Sequence, residues 1–209
     1  ENGLRAMAAA DAAAGRTVMP IPHPPTDYER DAQGLERSEF VTANCFVRRA
    51  LLERLGGFDE RFRMAWREDS DLHFRLLRRG ARLVRVPDAV VVHPVRPAPW
   101  GVSLAQQRKV MYDALLFKKH RDLYRSRIRR RPRWDYYLIV GSLAAAAGGS
   151  IVGAALWAGL TGRFLLQRLR GASKRPAHVA EMLVTSILIP PLAVYWRLRG
   201  ALRYRVAFL

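Results

Sequence analysis

Glu68, Asp69 and Asp71 place three carboxylates within four consecutive positions, and His93 follows at the end of an apolar, β-rich run. A carboxylate fixed at the start of a helix can take a proton from a hydroxyl as that hydroxyl attacks an electrophile, the work of a general base. Asp69 has that placement, because the helix expected over residues 70–79 begins just after it. The positive end of the helix dipole is expected to keep it ionised. Two other readings start from the same residues. The acidic cluster can be no more than an N-terminal helix cap. With His93 it can also form a metal-dependent hydrolase site, although no compact His-x-x-x-His ligand pair is present. Asp71, in the first turn, reads as a cap or an ion-pair partner. Cys45 is the sole cysteine and has no evident activating partner, so it reads as a small buried thiol.

The elements that must position these groups alternate in type. Asn2 is placed to cap a helix running through the alanines to about Gly15, followed by a short strand over residues 16–19. Prolines at 20, 22, 24 and 25 then open a polar loop that lasts to about Gly34. Residues 40–47 are apolar enough for a buried strand or loop. A helix is predicted over 48–55 and stopped by Gly56-Gly57; another over 70–79 carries Leu72 and Leu76 at helical spacing and stops at Gly80. Residues 81–86 and 89–92 read as short strands broken by Pro87-Asp88, and residues 104–124 read as helix. The alternation points to α/β layering.

Charge divides the chain. Residues 1–100 hold 16 basic and 14 acidic side chains, whereas residues 101–209 hold 20 basic and 4 acidic ones, which accounts for nearly all of the +18 net charge. The basic clusters alternate with apolar stretches, a pattern suited to lipid headgroups and not to nucleic acid. Residues 136–160 are 25 positions without a charge, enough to cross a hydrocarbon core, and residues 182–196 form a second apolar run broken by Pro190-Pro191. Aromatic residues, among them Trp134, Trp157 and Trp196, stand at or near the ends of these runs. The positive-inside tendency favours a fold-back near Gly148-Gly149, which keeps the basic clusters at 118–133, 163–175 and 197–205 on one side. The second run is then expected to lie at the interface or dip in without crossing.

The order Thr42-Ala43-Asn44, Arg48-Arg49, Leu55-Gly56-Gly57-Phe58-Asp59-Glu60, Glu68-Asp69-Ser70-Asp71-Leu72, Arg75-Leu76, Gly80, Val86-Pro87-Asp88 and His93-Pro94 resembles the second half of family 2 glycosyltransferases with the GT-A fold. The resemblance covers residues 1 to about 125; the tail, 126–209, looks like the C-terminal membrane segments of bacterial members. The fold it implies is α/β, a partial GT-A domain carrying the acceptor and catalytic-base half, followed by α-helical membrane segments. The bias to 32 Arg over 4 Lys also hints at a GC-rich bacterial genome.

The resemblance implies inverting transfer of a sugar from a nucleotide-sugar donor to a glycan or lipid-linked acceptor. It assigns the base to Asp69, with Glu68 orienting it or touching the acceptor. Thr42 and Asn44 would line the acceptor side and Trp66 could stack on a sugar ring, with core packing the competing account for Trp66. In the family a histidine at the place of His93 joins Asp-x-Asp carboxylates around Mn²⁺ or Mg²⁺. Those carboxylates and the nucleotide-binding half are expected upstream of residue 1, since the chain opens on Glu1, and the 209 residues alone are expected to be inactive. The implied setting is the cytoplasmic side of the inner membrane, in cell-envelope polysaccharide or glycolipid synthesis, with membrane lipid and no nucleic acid as partner. The alternative class is a membrane-anchored interaction protein with a degenerate α/β domain.

Overall fold

The computed structural model describes residues 1–208. The chain falls into two compact units, residues 1–21 with 31–96, and residues 22–30 with 97–209.

The first unit is built on a sheet of three strands. In chain order it contains helix α1 (Asn2–Ala6), strand β1 (Ala12–Val18), the end of helix α2 (Asp27–Gln33), strand β2 (Cys45–Val47), helices α3 (Arg49–Arg54) and α4 (Glu68–Arg78), and strand β3 (Leu83–Val92). The sheet order is β2-β1-β3. Central β1 runs antiparallel to β2, with Ala14 opposite Cys45, and parallel to β3, with Ala12 opposite Leu83 and Val18 opposite Val92. Ala12 and Ala14 pack with Phe40, with Leu51 of α3 and with Leu72 and Leu76 of α4 to form the core.

The helix expected through the alanines stops at Ala6, and Ala12, Ala13 and Ala14 lie fully buried in β1. Alanine's helix preference amounts to tenths of a kcal/mol per residue, and a helix of this length is marginal in any case. Two hydrogen-bonded ladders and burial on both faces outweigh it. The break expected at Pro87-Asp88 is present as a bulge within one continuous strand: Gly15 pairs with Val86 and Arg16 with Val90, so residues 87–89 loop out where proline has no N–H to donate. Asn44 holds that bulge, its side-chain amide donating to the carbonyls of Ala89 (2.7 Å) and Arg16 (3.0 Å).

The second unit is helical. Short helices α5 (Val102–Gln106), α6 (Met111–Lys119) and α7 (Arg121–Leu123) precede α8 (Trp134–Ala147), α9 (Ile151–Leu169) and α10 (Pro176–Tyr204). The 25-residue uncharged run divides at Gly148-Gly149-Ser150, as the fold-back requires. Gly149 takes φ +90°, and the Ser150 hydroxyl caps α9 by accepting from the Gly153 N–H at 3.1 Å. The helices α8 and α9 approach so closely at Gly153 that a side chain there would meet Ala145 and Ala146 at 2.8 Å.

Pro190 and Pro191 do not break α10, which runs through both for 29 residues. Proline in a helix interior sacrifices hydrogen bonds at about 3 kcal/mol, so packing must hold the helix. Ile189, Ala193 and Val194 bury against Tyr136 of α8, and Gly200 lets α10 pass within 2.7 Å (measured from a hypothetical Cβ) of the Met111 carbonyl of α6. Just before the prolines, Arg168 of α9 donates to Thr185 Oγ1 (2.7 Å) and Ser186 Oγ (3.0 Å), while Asp27 accepts from its Nε and Nη2. Among the described residues α10 is the one helix long and apolar enough to cross a membrane.

A Cβ at Gly15 would sit 2.4 Å from both the Ala89 carbonyl and the Asn44 amide nitrogen. Gly15→Ala is therefore expected to destabilise the chain by about 1–3 kcal/mol, seen as a lower urea midpoint. An unchanged midpoint would show that the bulge yields freely to a side chain.

Candidate active site

The acidic cluster opens α4. The chain reaches it through Arg67, which takes φ +77°, a left-handed conformation that costs a residue with a Cβ about 1 kcal/mol or more. The Arg67 guanidinium lies over the Trp66 ring, 4.5 Å from its centroid. The turn places Glu68 and Asp69 in the first helical turn, both half-buried.

Asp69 Oδ1 accepts from the backbone N–H of Ser70 at 2.6 Å and lies 3.3 Å from the Ser70 hydroxyl. The dipole was expected to keep this acid readily ionised; burial outweighs it, and the Asp69 pKa is raised. The hydrogen bonds from Ser70 and the charge of Arg67 recover only part of the shift. Asp69 lies within electrostatic reach of Cys45, whose thiol is pushed up to about 11 by burial and then by the Asp69 charge. That thiol is therefore inert at neutral pH, as expected for a structural cysteine.

Asp71 behaves differently although it is two residues away. It is fully buried and its Oδ2 accepts from Arg75 Nε at 2.8 Å, the ion-pair role that was one of its two readings. Arg75 then donates to the carbonyls of Leu55 (2.9 Å) and Gly57 (2.7 Å), where α3 ends in the left-handed residues Gly56 and Gly57. The Leu-Gly-Gly turn and the acidic turn are thus one hydrogen-bonded structure. His73, also in α4, is buried and stacks on Phe40 with ring centroids 5.3 Å apart.

Trp66, Glu68 and Asp69 are brought together around one turn. Thr42 and Asn44 belong to a 3₁₀ turn leading directly into Cys45, with Thr42 exposed and Asn44 buried on the bulge of β3. His93 stands one residue past β3, where its N–H donates to the Val18 carbonyl at 2.8 Å. Val18 is four residues beyond the Ala14–Cys45 rung, about 13 Å along the strand. The His93 Nδ1 is buried without a hydrogen-bond partner. The described residues contain no group of three or more His, Cys, Asp or Glu side chains able to hold a metal. They do not make a divalent-cation site by themselves.

Three features were not singled out from the sequence. The Asp71–Arg75 spacing of four is a readable signal for a helical ion pair. The left-handed Arg67 and the proximity of Cys45 to Asp69 have no signal in sequence.

A family model described as "Glycosyl transferase family group 2" matches residues 30–198. Nothing among curated proteins or solved structures matches the chain.

The raised Asp69 pKa has a consequence for stability with a definite sign. The native state holds this proton more tightly than the unfolded chain does, so ionisation of Asp69 opposes folding as pH rises from about 4, the ordinary carboxylate value, through its raised native value. At pH 7 Asp69→Asn is expected to melt at a higher temperature than the wild type, and the gap should close toward pH 4. Asp71→Asn leaves Arg75 without its charge partner and is expected to lose about 3–5 kcal/mol. Thermal melts across pH check both, and equal effects of the two substitutions would refute the division of labour.

Proposed function

The chain belongs to glycosyl transferase family group 2, and we propose that it is the acceptor-side half of an inverting enzyme in which Asp69 is the general base. The observation that carries this reading is the state of Asp69: anchored in the first turn of α4, bonded to Ser70, and made more basic by burial. A carboxylate with a raised pKa is a better proton acceptor than one in water. Asp69 takes the proton of an acceptor hydroxyl as the oxygen attacks the anomeric carbon, and the bond to the nucleoside diphosphate breaks with the pair of electrons leaving on phosphate. Attack from the face opposite the leaving group inverts the sugar. Glu68 orients the base or touches the acceptor. Trp66, half-buried with Arg67 stacked on it, offers an aromatic face to a sugar ring. Thr42, exposed in the turn before Cys45, completes the acceptor side, and Asn44, buried behind it on the β3 bulge, supports that turn.

The buried Nδ1 of His93 supports its assignment as one ligand to a divalent cation on the donor diphosphate, with the carboxylate ligands supplied from outside the described residues. Imidazole favours Mn²⁺ over Mg²⁺. The basic tail and the 29-residue α10 support attachment to the inner membrane with the site on its cytoplasmic side, and a lipid-linked or growing envelope glycan as acceptor.

In the full-length protein Asp69→Asn is expected to keep the donor KM and lower turnover by about 10² to 10⁴. Because the variant is expected to be the more stable one at neutral pH, near-wild-type transfer would remove Asp69 from the role. His93→Ala is expected to raise the Mn²⁺ concentration needed for half-maximal transfer. An unchanged metal titration would make His93 structural.

A further inference from the structure

An open cleft of about 570 Å³ lies in the helical unit, lined by residues 128–133 and Asp135. Two of its features set it apart from a solvated run of arginines. The first is an excess of positive charge that the protein does not neutralise. Arg133 is committed to Asp135, with Nη2 2.6 Å from Oδ2, and its guanidinium stacks on Tyr136 at 3.7 Å. Arg129, Arg130 and Arg131 are exposed.

Arg197 of α10, whose charge bears on Arg129, is 4% exposed, yet its Nε and Nη1 are buried with no hydrogen-bond partner, and Nη2 is 3.9 Å from Asp113. Arg129 is lowered first by burial and then by the charges of Arg133 and Arg197, while Asp113 and Tyr124 act in the opposite direction. Five guanidiniums thus share two carboxylates. Guanidiniums in excess of carboxylates around an open cleft are the condition in which an anion gains charge-assisted hydrogen bonds.

The second feature is where the cleft lies. Its lining residues Arg133 and Asp135 flank Trp134 in sequence, and Trp134 is 53% exposed and begins α8. On the α8–α9 hairpin that follows, Leu138, Ile151, Val152, Leu156 and Leu166 are all at least half exposed. Apolar side chains left uncovered beside a cluster of arginines fit a bilayer, with hydrocarbon against the hairpin and phosphate at the arginines. A nucleic acid would leave those side chains in water.

We propose that the cleft formed by residues 129–133 is a discrete site for the phosphate of an anionic phospholipid headgroup. This rests on the membrane reading above and not on the assignment of the catalytic base. Arg129, Arg130 and Arg131 reach the phosphate from the solvent side, and Trp134 seats at the glycerol level.

The test uses the full chain in a neutral detergent, titrated calorimetrically with dioctanoyl phosphatidylglycerol, dioctanoyl phosphatidylcholine and inorganic phosphate. Saturable binding of phosphatidylglycerol, about tenfold or more tighter than that of the other two, is expected. The double variant Arg130→Gln/Arg131→Gln should weaken it by about tenfold or more. Arg199→Gln/Arg203→Gln, which removes the same charge from the exposed end of α10, should leave it unchanged. Equal losses from the two double variants, or equal binding of phosphatidylcholine, would overturn the site, since either means diffuse attraction or simple micelle mixing. Equal or tighter binding of inorganic phosphate would overturn the lipid assignment, as would displacement of phosphatidylglycerol by a short RNA. Transfer activity is not read, so these outcomes are independent of Asp69.

Discussion

The first unit is organised around one buried ion pair. Asp71 has no exposure, and Arg75, one helical turn on, satisfies it while donating to the two carbonyls where α3 ends. A charge in a site this dry is tolerated only when its partner and remaining donors are all engaged. The pair therefore couples three local structures that are separate in sequence: the Gly56-Gly57 turn, the start of α4, and, through Leu72 and Leu76 on the same helix, the alanine face of β1. Because α4 is held at its first turn by a buried charge, the neighbouring Asp69 is held as well.

That arrangement allows the adjacent residues to be unfavourable. Arg67 adopts a left-handed backbone, and Asp69 is desolvated beyond what Ser70, its own backbone N–H and the Arg67 charge compensate. Neither feature stabilises the fold. Both suit the base proposed above, which needs a fixed direction and an environment that makes its charge less comfortable. Asp71 and Asp69 are two residues apart and opposite in energetic sign, and the rigid one makes the strained one possible.

The helical unit repeats the theme with a different purpose. Arg168 bridges α9 and α10 by donating to Thr185 and Ser186, and Asp27 neutralises it. The bridge falls one turn before Pro190 and Pro191, where the backbone ladder of α10 is weakest. Side-chain hydrogen bonds and close packing at Gly200 replace what the missing N–H groups cannot supply. Arg197, further along α10, is left with unmatched donors, so the same unit contains one arginine fully satisfied by the fold and one that is not.

Much of this was legible in the sequence where the signal is local. Gly56, Gly57 and Gly80 end α3 and α4 because left-handed residues do so wherever they occur, and the expected spans agree with the observed ones to within two residues. Gly149, with its positive φ, divides the uncharged run for the same reason. The ordered block from Thr42 to His93 pointed to the family because its residues are reported by type and spacing alone. What failed were inferences from intrinsic preference. Alanines that favour helix became a central strand, and prolines that end helices lie inside one, because partners distant in sequence decided the balance. The amide of Asn44 reaches Ala89, the guanidinium of Arg168 reaches Asp27, and the charge of Arg197 bears on Arg129. Sequence determines which groups are available and where the chain turns. Burial, and with it the raised pKa of Asp69 and the unmatched donors of Arg197, exists only once distant segments exclude water from the same place, so the tertiary structure alone decides it.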